Sequence, residues 1–301
     1  MNPFVEYFKS HGQISEPGRY GESLSRLPGD IEELCRIVQG LIIRPGWNSD
    51  YRASIPEDRV YSELQARTVV EILDTVQHLQ GGSLAEARPP KLRAVGTSRN
   101  SALLLCSILR TQNVAARLRC GFAPYVRAGR FEDHWICEYW SDADKYWVRV
   151  DPQLDALQCQ AFAVGFDPQD VPIDAYLYAG EVWVMCRRGR VDPDLCGNSD
   201  LRGLGFIKGN IVRDILALNK VEAMPWDSGW GIVGGGFSKD VERSQLSYID
   251  RLARCSANSL VHLAHSFFAD DERIRFPGGW DLSMAPTLRQ LMDDPDCGGI
   301  I

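Results

Sequence analysis

The sequence predicts an α+β fold in which a helix packs on an antiparallel sheet, with a helical C-terminal extension. Three stretches carry that expectation. Residues 98–112 place Ala102, Leu105, Cys106 and Leu109 at the spacing of one helix face. Residues 114–122 alternate, with Ala116, Leu118, Cys120 and Phe122 one way and Arg117 and Arg119 the other, as in a strand. Residues 134–151, HWICEYW-SDAD-KYWVRVD, set two aromatic-rich runs about a polar cluster, which reads as a hairpin.

Composition bounds the rest. The 301 residues can bury a sizeable core, and 45% hydrophobic with 24% charged residues is ordinary for a globular protein. A net charge of −7 and a pI near 5.3, with no Lys/Arg-rich run, argue against nucleic acid as a partner. No apolar run approaches the roughly 20 residues that span a bilayer. The first ten residues lack the apolar stretch of a signal peptide. The nine cysteines are scattered without a C-x-x-C pair, so reduced thiols in a cytoplasmic protein are expected, and no zinc site.

From the N-terminus, residues 10–29 are loop-rich. Asp30 can cap a helix over 31–43, which Pro45-Gly46 stops. A second helix is expected over 62–80, ended by Gly81-Gly82. The two prolines of 87–93 keep that segment extended before Gly96 and Thr97 break into the 98–112 helix. Beyond the hairpin, helices are expected over 176–187 and 210–218. Arg213 and Asp214 are left to pair with the core or to line a cleft. One amphipathic helix is expected over 240–268, and a loose acidic tail over 273–301. Gly229, Gly231 and Gly234 make a G-x-G-x-x-G, but no strand precedes it, so a mobile loop is read rather than a cofactor site. Trp226 and Trp230 in that loop could close over a substrate. His262 and His265 lack a third ligand, so no metal is expected. The domain reading is 1–236 for the main domain and 237–301 for the extension.

The chemistry converges on three residues. Ser98 opens a helix, where free N–H groups and the dipole favour a developing oxyanion. Serine is also a favoured helix cap, a competing and purely structural role. A turn at Ser141, Asp142, Ala143 and Asp144 pairs Trp140 with Lys145, Glu138 with Trp147 and Ile136 with Arg149, and sets His134 opposite Asp151. Directly opposed residues have Cβ atoms about 4.5–5.5 Å apart on one face, close enough for a carboxylate to hold an imidazole. Serine, histidine and aspartate so arranged make a nucleophile, its base and the base's orienter. Glu132 and Asp133 read mainly as solvated loop charges that could otherwise raise the imidazole's pKa or bind a cationic substrate.

The stretches VGTSRNSALLLCSILRTQNVAARLRCGF, FEDHWICEYW and KYWVRVDPQLD, with the later GLGFIKGNIVRDILALNKVEAMPWD, resemble the transglutaminase-like superfamily, over roughly residues 15–230. The resemblance implies a papain-like α+β fold and a Cys–His–Asp triad. By position Ser98 takes the nucleophile's place, His134 the base's and Asp151 the orienter's. The sequence departs from the pattern at its centre: Ser98 stands for the cysteine, Asn100 for the aspartate and Ser101 for the aromatic. Cys106 lies two helical turns away and Cys137 alternates away from His134, so neither replaces the missing thiol. The resemblance implies acyl transfer, as amide formation or hydrolysis, without a cofactor. The substrate is an acyl or amide compound, with an amine acceptor or a carrier-bound acyl group as further expected parties. The alternatives are an inactive relative or a Cys-to-Ser variant that binds a peptide, partner or small molecule in the same cleft.

Overall fold

The computed structural model describes residues 3–47, 49–199, 201–234, 239–279, 281–285 and 287. The fold is α+β. Up to the first long strand the elements are α1 (Pro3–Tyr7), α2 (Gly21–Ser25), α3 (Ile31–Leu41), β1 (Ile42–Ile43), α4 (Glu57–Glu63), α5 (Val69–Leu79), β2 (Ala94–Val95) and α6 (Ser98–Thr111). Next come β3 (Ala116–Ala123), β4 (Phe131–Ser141), β5 (Tyr146–Val150) and α7 (Ala156–Ala161). The remainder holds β6 (Leu177–Tyr178), α8 (Ala179–Arg187), β7 (Cys196–Asn198), β8 (Leu201–Arg202), α9 (Leu204–Ala217), α10 (Leu246–Ala257) and α11 (Val261–Asp270). Strand pairing runs β6-β3-β4-β7-β8, with β5 on β4. The chain divides into two compact units: Met1–Leu118 with Trp135–Pro172, and Arg119–His134 with Ile173–Ile301.

In the first unit α6 is central. Every residue from Ser98 to Arg110 is buried, including Arg99, Asn100, Ser107 and Arg110. A helix covered on all sides is core rather than amphipathic surface. Its polar groups find partners: Arg110 donates to the Ala116 carbonyl at 2.9 Å and to Ser15 Oγ at 2.7 Å, and Ser107 Oγ donates to the Ser15 carbonyl at 2.7 Å. Asp30 caps α3 as expected, its side chain accepting the Glu33 N–H at 3.0 Å. The helix expected over 62–80 is two helices, α4 and α5. Thr68 starts α5 with a capping box: its hydroxyl accepts the Glu71 N–H at 3.2 Å, and Glu71 accepts the Thr68 N–H at 2.8 Å.

The hairpin register differs from the expectation. The ladder pairs Cys137 with Val150, Glu138 with Arg149, Tyr139 with Val148, Trp140 with Trp147 and Ser141 with Tyr146. The four loop residues are Asp142 to Lys145, one position later than read, because Lys145 takes the left-handed conformation at φ 59° and donates to the Ser141 carbonyl at 2.8 Å. Each β5 partner therefore moves by two. Carried one step past the ladder, this register sets Asp151 beside Ile136 rather than His134. A shift of two leaves every side chain on its expected face. Both faces are covered: Ile136 and Glu138 are as buried as Trp135 and Cys137. Glu138 is held by Arg117 at 2.7 Å and Arg149 at 3.6 Å, and the Arg117 guanidinium lies 4.1 Å from the Trp147 ring centre.

In the second unit β6 pairs antiparallel with β3, Tyr178 opposite Gly121 and Leu177 opposite Phe122. That pairing takes up Leu177 and Tyr178, so the helix expected from 176 begins at Ala179. β7 pairs parallel with β4, Cys196 opposite Phe131, and returns through β8. The helix expected over 210–218 begins earlier, at Leu204, directly after Gly203 turns the chain at φ 106°. The single helix expected over 240–268 is α10 and α11, separated where Ser259 adopts φ 50°. Both pack within this unit. A Cβ on Gly180 of α8 would stand 2.1 Å from the Ala253 carbonyl oxygen of α10, so only glycine permits that approach. Arg119, on the strand face opposite the apolar residues, is fully buried. It donates to Asp214 at 2.9 and 2.8 Å, to the Ser256 carbonyl at 2.8 Å and to Ser259 Oγ at 2.5 Å, with its guanidinium 3.5 Å from the Tyr178 ring centre. Residues 288–301 of the expected acidic tail lie outside the described residues.

Candidate active site

Ser98 is the first residue of α6, and the capping role falls to its neighbour. Thr97 is extended, at φ −87° and ψ 178°, and its N–H donates to Asn100 Oδ1 at 3.1 Å. Thr97 Oγ1 donates to the same oxygen at 3.0 Å, and Asn100 Nδ2 donates to the Ala66 carbonyl at 3.0 Å. Asn100, in the position where the resembled family has an aspartate, therefore braces the helix start. Gly96 admits the tight approach: a Cβ there would stand 2.9 Å from both Asn100 Cβ and Ile42 Cγ2. Relieved of capping, the Ser98 hydroxyl accepts a hydrogen bond from the Trp135 N–H at 3.2 Å and is only 9% exposed.

Trp135 follows His134 on β4. His134 is 1% exposed. Within its own unit its carbonyl accepts from the Tyr176 hydroxyl at 3.0 Å, and its ring meets the Tyr125 ring edge-on, centres 5.8 Å apart and planes at 78°. Glu132 and Asp133 are strand residues with fixed partners, not solvated loop charges. Arg202 binds Glu132 at 2.8 Å, and Asn210 Nδ2 donates to Asp133 Oδ1 at 2.7 Å. Burial raises the Asp133 pKa above the usual carboxylate value, against the pull of Arg213, Asn210 and His134. Arg213 is buried in the same unit, bonded to Asn210 Oδ1 at 3.0 Å and the Asp227 carbonyl at 3.2 Å, and burial lowers its pKa. Arg213 and Asp214 thus belong to the core.

Asp151 is fully buried at the end of β5. Its N–H donates to the Pro168 carbonyl at 2.8 Å, and its Oδ1 accepts the Gln153 N–H at 3.1 Å, an Asx turn that fixes the carboxylate. Ser98 and Asp151 belong to the first unit and His134 to the second, where it is the last residue before the chain passes to Trp135. Within the first unit, Ser98 Oγ meets the Trp135 amide.

Cys106 and Cys137 are buried in the first unit, and burial with a hydrogen bond to Cys106 pushes the Cys137 thiol up. Cys186 goes the other way: a hydrogen bond with the Cys196 thiol lowers its pKa, and it is half-buried. Gly229 precedes and Gly231 opens a 3₁₀ turn, both at positive φ, and a Cβ on Gly231 would stand 2.2 Å from the Arg273 carbonyl oxygen. Trp226 and Trp230 are buried, Trp230 Nε1 donating to the Ile274 carbonyl at 3.0 Å, so neither is a lid. Gly235 to Ser238, the rest of the loop read as mobile, lie outside the described residues. Among the described residues, no three His, Cys, Asp or Glu side chains gather as metal ligands, and no helix is long and apolar enough to cross a membrane.

Sequence reasoning missed Thr97 as the cap, although T-x-x-N was legible, and missed Tyr125 and Tyr176 around His134, for which the sequence holds no local signal.

No family model matches the chain, and no curated protein matches it. A solved structure is similar: a crystal structure from Cytophaga hutchinsonii, provisionally described as a cysteine protease, with 13% identity and a TM-score of 0.35. The match covers 59% of this chain and 46% of that one, so it spans under half of that protein's length.

Proposed function

We propose that this chain catalyses acyl transfer at an amide, ester or thioester carbonyl on a papain-like, transglutaminase-like framework, with Ser98 as nucleophile, His134 as base and Asp151 as orienter. The observation that carries the reading is the bond from the Trp135 N–H to Ser98 Oγ at 3.2 Å, because Trp135 is joined directly to His134. Two further features support it. The Thr97–Asn100 brace removes the capping explanation for Ser98. Asp151 is a buried carboxylate held by a backbone N–H directly after β5.

The steps follow from these roles. His134 takes the Ser98 proton as Oγ bonds to the substrate carbonyl carbon. The α6 N-terminus stabilises the oxyanion of the tetrahedral intermediate. Collapse expels the leaving amine, alcohol or thiol, which receives the proton from His134, and leaves an ester on Ser98. Water or an amine then attacks that ester with His134 again as base, giving the acid or a new amide.

A fluorophosphonate probe tests the reading. Wild type should label at Ser98 and Ser98→Ala should not. His134→Ala should slow labelling by roughly 100-fold or more, the usual contribution of a positioned base. Wild-type protein that stays unlabelled at Ser98, or labelling indifferent to His134→Ala, would sink the mechanism.

A further inference from the structure

We infer that Tyr176 is a positioning residue for the His134 base, holding the His134 main-chain carbonyl through its phenolic hydroxyl; the inference rests on the acyl-transfer reading above. Tyr176 is fully buried, with its hydroxyl 3.0 Å from the His134 carbonyl oxygen and 3.0 Å from that of Arg119. One phenolic proton is therefore shared between carbonyls on β4 and β3, at the residue that carries the imidazole. Burial lifts the Tyr176 pKa well above its ordinary value, so the phenol stays a donor at every pH at which the protein would work.

The hydroxyl is delivered by local structure. Leu177 and Tyr178, the next two residues, are locked to Phe122 and Gly121 by strand pairing. Gly121 leaves the necessary room: a Cβ there would stand 2.8 Å from Tyr176 Oη and 2.2 Å from the Leu177 carbonyl oxygen. The second acceptor is equally fixed, because the Arg119 side chain is clamped by Asp214 and lies over the Tyr178 ring. His134 thus has a main-chain anchor in Tyr176 and a ring neighbour in Tyr125. A base must stand within hydrogen-bond reach of its proton, and misplacement by about 1 Å can cost on the order of 100-fold in rate.

Tyr176→Phe removes the hydroxyl and keeps the ring. The experiment measures the first-order labelling constant kinact at Ser98, the final fraction labelled, and the melting temperature. Tyr248→Phe serves as the comparison, since it removes a hydroxyl bonded to Asp271 at 2.8 Å elsewhere in the same unit. A positioning role predicts that Tyr176→Phe lowers kinact by roughly ten-fold or more while the labelled fraction still reaches completion. Tyr248→Phe should keep the wild-type kinact. A merely structural role would lower the labelled fraction and the melting temperature but leave kinact alone, and that result overturns the inference. Wild type that fails to label overturns the parent reading and this one together, whereas labelled wild type with an unchanged Tyr176→Phe constant sinks only the positioning role. Should Tyr176→Phe not fold, 3-fluorotyrosine at position 176 changes donor strength with almost no change in shape. Its kinact should then differ from wild type by more than about two-fold, and an unchanged value overturns the inference.

Discussion

Ser98→Cys should produce a thiol that iodoacetamide alkylates with an apparent pKa well below the free-thiol value of about 8.5. Three groups favour its thiolate. The α6 N-terminus offers the positive end of its dipole, and the Trp135 amide already donates to the side-chain atom at this position. In the proposed mechanism His134 supplies the third as imidazolium. The helix and the amide act without His134, so the double variant Ser98→Cys/His134→Ala separates them: its apparent pKa should rise by about two units or more. The measurement needs a Cys186→Ser background, because a hydrogen bond with the Cys196 thiol lowers the Cys186 pKa and alkylation of Cys186 would overlap the signal. A position-98 thiol titrating at or above about 8.5 would mean that nothing there activates a nucleophile.

Asp214→Ala should be the most destabilising single substitution in the second unit, by about 3–5 kcal/mol. Asp214 Oδ1 accepts from Arg119 Nε at 2.9 Å and from the Cys120 N–H at 3.0 Å. Its Oδ2 accepts from Arg119 Nη2 at 2.8 Å and Ser256 Oγ at 2.7 Å. Both members of the pair are fully buried. Removing the carboxylate leaves a guanidinium without its counter-charge and an amide and a hydroxyl without acceptors. For a protein of this size a loss of that order lowers the melting temperature by roughly 10 °C. Arg119→Met with Asp214→Leu should recover much of the loss, because no charge then remains to be desolvated. A change under about 1 kcal/mol in urea titration for Asp214→Ala would show that water reaches the pair.

The two arginines of β3 show where sequence reading runs short. Alternation at residues 116–122 gave the strand and one of its faces, but a charged second face reads as solvated unless its partners are known. Glu138 lies 21 residues from Arg117 and Asp214 lies 95 from Arg119, and only tertiary structure brings such pairs together. The hairpin failed differently. Its two strands and their faces were legible from the aromatic runs, and the register slipped because Lys145, a residue with no turn preference, occupies the left-handed region. The split of the expected 62–80 helix was in principle readable, since Thr68 and Glu71 spell a capping box that apolar spacing alone overlooks. Ser98, His134 and Asp151 were singled out from spacing and resemblance, and their roles here are those of the proposed mechanism. The brace at Thr97 and the tyrosines around His134 were not, since hydrogen bonds to main-chain carbonyls and ring-edge contacts leave no pattern along a chain.

The amide that Trp135 directs at Ser98 Oγ has a spectroscopic consequence. A serine hydroxyl oxygen accepts readily, whereas an ester oxygen delocalises its lone pair into the adjoining carbonyl and accepts poorly. Formation of an acyl-Ser98 ester should therefore weaken that bond, moving the Trp135 amide proton upfield and speeding its exchange with solvent. Ser98→Ala, which removes the acceptor altogether, sets the upper limit of the shift. An ¹⁵N-labelled sample titrated with activated esters would then report acylation at one backbone nucleus without any knowledge of the natural substrate. A Trp135 resonance that stays in place while Ser98 is shown by mass to be acylated would mean that the 3.2 Å contact contributes no hydrogen bond in solution.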